Sequence, residues 1–202
     1  MNVIDELIQI FRKFPGVGPR QAERFVFHLL RQEKSDLHKI SQLLPTLGDQ
    51  MQKCELCQKF FLSEKHGSVC KICSNPNRNK NILMIVARDV DLQSVEKSNT
   101  YDGEYFVLGG SVPILEKEPE KRIRLRKLLQ ILEKYPNLQE IIIALNANPE
   151  GENATEIVKK WVKEYIEKND IKVSVLGRGL STGTELEYSD GDTIKNALEG
   201  RF

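Results

Sequence analysis

The stretch "FPGVGPRQAERFVFHLL", Phe14 to Leu30, decides how the first part of the chain is read. Two glycines and two prolines fall within the five residues Pro15–Pro19, and Arg20 follows at once. Upstream, Ile4, Leu7, Ile8 and Phe11 recur at i, i+3, i+4 and i+7, which predicts a helix over about residues 3–13. Gly16 and Gly18 break it. Pro19 then takes the favoured first position of a second helix, where its missing N–H costs nothing. That helix is expected to bury Ala22, Phe25, Val26, Leu29 and Leu30 on one side and to present Arg20, Arg24, His28 and Arg31 on the other.

A glycine-rich turn that opens a helix is a place where phosphate can sit. Two nucleotide cradles are excluded here. A Walker loop needs GxxxxGK[ST], and this stretch has no such lysine and hydroxyl. A dinucleotide fingerprint follows a strand, whereas here a helix precedes the glycines. What remains is helix, Gly-rich turn, helix. Gly16 and Gly18 lack a Cβ, so the N–H groups near Val17 and Gly18 could face a phosphate, and the following helix adds its positive end. Arg20 and Arg24, four residues apart, share a helix face and could bracket neighbouring phosphates. Such a grip reads the nucleic-acid backbone and carries no base specificity. A plain αα-hairpin with surface arginines, or one that mediates protein contacts, stays open beside it.

The charge distribution points the same way. The net charge is only +1, but residues 1–80 carry 13 Lys+Arg against 8 Asp+Glu and residues 81–202 carry 17 against 21. A basic front on an acidic back fits polyanion binding by the front, although chance scatter of surface charge gives the same numbers. No run of 18 apolar residues occurs, so no membrane span is expected. The start, MNVIDELIQIFRKF, carries acids and lacks the basic, then uninterrupted apolar, character of a secretory signal, so the chain reads as cytoplasmic.

Four cysteines form two pairs, Cys54-x2-Cys57 and Cys70-x2-Cys73, twelve residues apart. In a cytosolic chain this spacing indicates metal rather than disulfides. Each two-residue gap lets one tight knuckle supply two thiolates, and four thiolates close a tetrahedron around Zn²⁺ with no open position for water. The site is therefore expected to be structural. A redox role is weaker, because thioredoxin-like CxxC motifs come singly. His66, inside the spacer, is expected to face solvent.

A third helical stretch is expected over about residues 36–52, interrupted at Pro45. The polar "SNPNRNKN" then reads as a connector and domain boundary. Beyond it, ILMIVA (82–87), YFVL (105–108), EIIIALN (140–146) and IKVSVL (171–176) have the continuous apolar character of buried parallel strands. Helical segments alternate with them near 89–97, 119–134, 153–168 and 192–199, which predicts a parallel α/β sheet. Trp161 falls on the apolar stripe of the third of these helices, with Ala154, Ile157, Val158, Val162, Tyr165 and Ile166, and is expected in the core.

Five segments in this order resemble the bacterial recombination mediator family RecR: "FPGVGPRQAERFVFHLL", "CELC…CKIC", "YFVLGG", "NPEGENAT" and the ending "GRGLSTGTELEYSDGDTIKNALEGR". The resemblance covers nearly the whole chain. It implies an α+β, multi-module protein: a helix-hairpin-helix DNA-binding region (1–53), a four-cysteine zinc finger (54–79), an α/β Toprim domain with a parallel sheet (80–177) and a C-terminal segment (178–202). It further implies sequence-nonspecific DNA binding, RecO- and RecF-type partners at single-strand/duplex junctions, and a homo-oligomer, from dimer to ring-like tetramer. The family's basic hairpin positions fall on Arg20 and Arg24, and its zinc ligands on Cys54, Cys57, Cys70 and Cys73. The glycine-rich turn usual after "VLGG" is replaced here by "PILEKEPEKRIRLRK", which bears on partner docking.

Catalytic Toprim enzymes hold Mg²⁺ with a glutamate at the end of the first strand and an Asp-x-Asp after a later one. This chain has Ala87 at the first place and Asn146-Ala147-Asn148 at the second, and neutral amides do not balance a divalent charge. Asp89 and Asp91, with Glu150 and Glu152, could form a weak Mg²⁺ site or simply favour helix N-termini. Tyr188 could be imagined as a strand-cleaving nucleophile, but no acid pair supports it and packing is expected instead. The expectation is a non-catalytic module; the alternative is a diverged metal-dependent Toprim nuclease or primase-like enzyme.

Overall fold

The computed structural model describes residues 2–62, 67–177, 179–180, 183 and 185–200. The chain divides into two compact units, Met1–Met51 and Gln52–Phe202.

The first unit is helical. Helix α1 (Val3–Phe11) starts on a capping box, in which Asn2 Oδ1 accepts from Asp5 N–H at 2.9 Å and Asp5 Oδ2 accepts from Asn2 N–H at 3.4 Å. Helix α2 (Pro19–Leu29) packs back against it through Ala22 and Val26, both fully buried. The ring of Phe11 meets Phe14 and Phe25 edge-on, at centroid distances of 5.6 and 5.8 Å. Leu30, expected inside, is 63% exposed; it is the C-cap residue at the end of α2, its N–H still bonded to Val26 O at 3.1 Å. Helix α3 (Lys34–Gln50) passes through Pro45 instead of being interrupted by it. Proline forfeits one bond, to the carbonyl four residues back. Next to it the Thr46 hydroxyl donates to the carbonyls of Gln42 and Leu43, at 3.0 and 2.8 Å. Helix α3 buries none of its residues, and Ile40, Leu43, Leu44 and Leu47 are 45–61% exposed.

The second unit opens with the short strands β1 (Met51–Lys53) and β2 (Phe60–Leu62), which pair around the first cysteine knuckle. It continues as β3 (Asn79–Val86), α4 (Asp89–Ser98), β4 (Gly103–Val107), α5 (Pro119–Arg122), α6 (Leu125–Leu132), β5 (Glu140–Ala144), α7 (Pro149–Asn169), β6 (Lys172–Val175) and α8 (Gly191–Glu199). The four strands β3 to β6 form one sheet in the order β4-β3-β5-β6, and every pairing is parallel. The expected strand–helix alternation is present. The helix expected over 119–134 is two, since Ile123 is extended between α5 and α6.

Strand β3 sits inside the sheet and is apolar on both faces, as a central parallel strand must be. Leu83 and Ile85 face a core built with Leu128, Ile131 and Leu132 of α6 and Ala154, Val158 and Val162 of α7. Trp161 packs partly buried against this core, as expected. Met84 and Val86 face the other way, into a second core with Leu92, Tyr105, Val107 and all four cysteines. The cysteine knuckles are therefore one of the two layers that cover the sheet.

Candidate metal centre and nucleic-acid interface

The four cysteine sulfurs lie within 4.8 Å of one another, and Cys57 Sγ and Cys70 Sγ are 3.6 Å apart. Tetrahedral zinc with bonds of about 2.3 Å would set its sulfurs about 3.8 Å apart, so the cluster has the size of a metal site. The backbone already serves it: Cys70 N–H donates to Cys54 Sγ at 3.4 Å. All four residues are at least nine-tenths buried. Thiols this close share protons rather than ionise together. Cys54 is held far below the usual thiol range by S–H groups of Cys57, Cys70 and Cys73, while Cys73 is pushed far up by Cys54, then Cys57 and Cys70. A bound cation would relieve that conflict by taking all four as thiolates. Four sulfurs leave no ligand position for substrate, so the donor set fits a structural ion. His66 lies outside the described residues.

Glu104, which sequence reading passed over, lies buried beside Cys73, and burial pushes its carboxyl above the usual range. An acid inside the apolar run "GEYFVL" was the available signal.

The knuckle also seals the sheet. Val107 N–H at the edge strand β4 donates to the Cys57 carbonyl at 2.8 Å, and Arg124 Nη1 ties Val107 O and Gln58 O together at 2.8 and 3.3 Å. Asp89 Oδ1 accepts from Phe60 N–H of β2 at 2.7 Å. Its neighbour Asp91 accepts from Arg88 N–H at 2.8 Å, capping α4. Asn148 Oδ1 accepts from Gly151 N–H at 2.8 Å, capping α7, and Glu150 Oε2 accepts from Ser111 Oγ at 3.1 Å. Asp89, Asp91 and Glu150, among the acids that could have held Mg²⁺, thus have structural partners. Asp89→Ala is expected to cost about 1–2 kcal/mol of stability in chemical denaturation, the loss of a charged acceptor from a bonded amide. Tyr188 does not pack as expected: it stands 77% exposed in a single 3₁₀ turn, Leu186–Tyr188.

In the first unit the hairpin differs in detail from its sequence reading. Only Gly16 has a left-handed backbone, with φ +75°; Gly18 is extended and serves as the N-cap of α2. Val17 N–H is not aimed outward, since it donates to Phe14 O at 3.1 Å and closes the turn. Gly18 supplies no side-chain cap, Pro19 has no N–H, and the first helical bond is Ala22 N–H to Gly18 O at 2.9 Å. Among the described residues, this leaves the amides of Gly18, Arg20 and Gln21 without a partner at the helix start. Arg20 and Arg24 are exposed on the same face. The arrangement offers outward N–H groups, a positive helix end and two guanidiniums to one anionic strand.

A family model described as "RecR, helix-hairpin-helix" matches residues 4–47, one described as "Toprim domain" matches 81–177, and one described as "RecR, C-terminal" matches 179–201. A recombination protein RecR of Lactobacillus helveticus is 34% identical over 198 residues, spanning 98% of this chain and 96% of its own. Proteins of the same name from Tropheryma whipplei and Legionella pneumophila are 32% and 31% identical over 201 residues, covering all of this chain and 97% and 96% of theirs. Among the described residues, no helix is long and apolar enough to cross a membrane.

Proposed function

Because this chain belongs to the RecR family, we propose that it serves DNA recombination and repair as a non-catalytic, DNA-binding mediator. In this reading residues 1–53 hold DNA by its backbone through Gly16, Val17, Gly18, Arg20 and Arg24, with Val17 shaping the turn and Gln21 adding an amide. Residues 54–79 form a zinc finger in which Cys54, Cys57, Cys70 and Cys73 bind structural Zn²⁺. Residues 80–177 are a Toprim module for assembly and partner binding, followed by the C-terminal segment 178–202. The protein works in the cytoplasm with RecO- and RecF-type proteins at junctions of single-stranded and duplex DNA.

One observation carries the reading: the uncapped start of α2 beside the Arg20–Arg24 ladder. Three amides and two arginines make a weak grip, so several copies acting together are part of the proposal. The exposed Ile40, Leu43, Leu44 and Leu47 of α3 supply apolar surface for such a homo-oligomer. Ala87, Asn146 and Asn148 at the places of catalytic acids favour a role without turnover.

The double change Arg20→Glu/Arg24→Glu tests the grip. At low salt it is expected to weaken DNA binding roughly 100-fold and to reduce the slope of log affinity on log salt by about two, one for each phosphate no longer neutralised. Unchanged affinity would remove the hairpin from the interface. Incubation with labelled DNA and Mg²⁺ tests the rest, and cleavage that Asp89→Asn abolishes would make the protein an enzyme.

A further inference from the structure

The charged face of α2 does not end with Arg24. Arg20, Arg24, Phe27 and His28 recur at i, i+4, i+7 and i+8 on the side opposite Ala22 and Val26, and Arg31, two residues past the end of the helix, joins them at the surface. Glu23, Arg24, Phe27, His28 and Arg31 line a shallow depression of about 420 Å³. Phe27 lies in it 46% exposed, between guanidiniums that precede and follow it. The imidazole of His28 is bonded to Gln32 Nε2 at 3.1 Å, which steadies a second ring beside it. Among the described residues, Glu23 is the one anion lining the depression, against Arg24 and Arg31 in it and Arg20 one turn before Arg24.

A surface that held only backbone phosphates would gain nothing from an exposed phenyl ring. Phenyl surface left in water is unfavourable, and in a depression flanked by cations it suits a ligand that is anionic and has flat apolar faces. Unpaired bases have such faces free; stacked bases inside a duplex do not. We propose that the Phe27 face of α2 binds single-stranded nucleic acid, with Phe27 stacking on an unpaired base while Arg24 and Arg31 hold the phosphates on either side. The inference rests on the reading that the first unit binds DNA, and it specifies which form. The amides and Arg20 at the start of α2 grip a backbone of either form, and the ring beyond them rewards a strand whose bases are free.

The test measures the intact protein against oligothymidylate and against a mixed-sequence duplex of equal length, by anisotropy at one salt concentration. Three proteins are compared: Phe27→Ala, Phe27→Trp, and Arg20→Glu/Arg24→Glu. Stacking of one base is worth enough that Phe27→Ala should lose roughly 10-fold on oligothymidylate, with duplex affinity kept within about twofold. Phe27→Trp should retain single-strand affinity, and its indole emission should be quenched by oligothymidylate. Equal losses on both DNAs from Phe27→Ala would overturn the stacking role. So would unchanged single-strand binding while Arg20→Glu/Arg24→Glu abolishes it; that outcome leaves the hairpin reading intact. If neither variant alters binding, the DNA reading falls and the inference falls with it. A change of molecular mass with Phe27→Ala would assign the ring to contact between copies and also overturn the proposal.

Discussion

Stripping the metal ion proposed for the cysteine cluster is expected to unfold the α/β unit as a whole rather than to loosen a peripheral knuckle. The reason is the position of the cysteines. They form one buried cluster with Met84 and Val86 of the central strand, Leu92 of α4, and Tyr105 and Val107 of β4. Without a cation the four sulfurs cannot all be thiolate at this separation, and each of the alternative protonation states leaves S–H groups pressed together in a dry core. Structural zinc supplies about 10–16 kcal/mol to small metal-dependent folds, as much as the whole stability of an ordinary domain of about 5–15 kcal/mol. A melt followed by far-UV circular dichroism, with and without prolonged chelation, should show the sheet signal and the cluster lost together. A loss of about 5 kcal/mol would lower the melting temperature by roughly 10–20 °C in a unit of this size. Cys73→Ser should behave like the chelated protein and retain far less than one equivalent of metal. A sheet that melts unchanged after complete metal removal would show that the cluster contributes nothing to the core beside it.

The second large effect is expected at Gly151, in the first turn of α7. A Cβ there would stand 2.9 Å from the carbonyl carbon and 3.1 Å from the nitrogen of Asn146, and closer still to the Asn146 carbonyl oxygen. All three are backbone atoms, so no side chain can swing aside. The glycine is held from both directions: its N–H donates to Asn148 Oδ1 at 2.8 Å, and its carbonyl accepts from the Thr155 hydroxyl at 2.9 Å. Gly151→Ala must therefore push α7 off the end of β5 and open the core at Ala154 and Val158. The expected cost is about 3 kcal/mol or more, at the upper end of overpacking. Gly48→Ala is the control of opposite sign. It lies inside α3 with open space where the Cβ would go, and should gain up to about 1 kcal/mol of helix propensity. Chemical denaturation of the two variants beside the parent checks both, and a Gly151→Ala protein as stable as the parent would mean that the turn relaxes at no cost.

What was legible in the sequence was whatever is encoded locally. The alternation of strands and helices, the two CxxC knuckles and the Pro19 start of α2 each follow from residues within a few positions of one another. What escaped depends on distant partners. Nothing near Cys57 says that its carbonyl accepts from Val107, fifty residues on, so a finger and a sheet read as separate modules share a core. Pro45 was given its intrinsic helix-breaking weight, but one missing bond does not end a helix of seventeen residues. Helix α7 begins at Pro149, four residues before the helix expected near 153–168, because Asn148 caps it and Pro149 fills its first position. At the hairpin the residue types were read usefully and their amides less so. Periodicity placed Arg20 and Arg24 on an outer face, but whether the Val17 amide turned inward depended on a turn geometry that two glycines allow in several forms.

The seal on β4 gives the metal proposed for the cysteines a further consequence, for solubility. A strand edge whose amides and carbonyls are bare is a template for another chain. Here β4 is buried along its full length, and the Cys57 carbonyl and Arg124 occupy its end. During synthesis residues 54–73 emerge before residues 103–107, so a loaded knuckle waits for the strand it will cover. In a metal-starved cell the order brings no protection. The apolar strand "YFVL" would then meet copies of itself before its cover, and the chain would be lost to aggregates before any question of DNA binding arose.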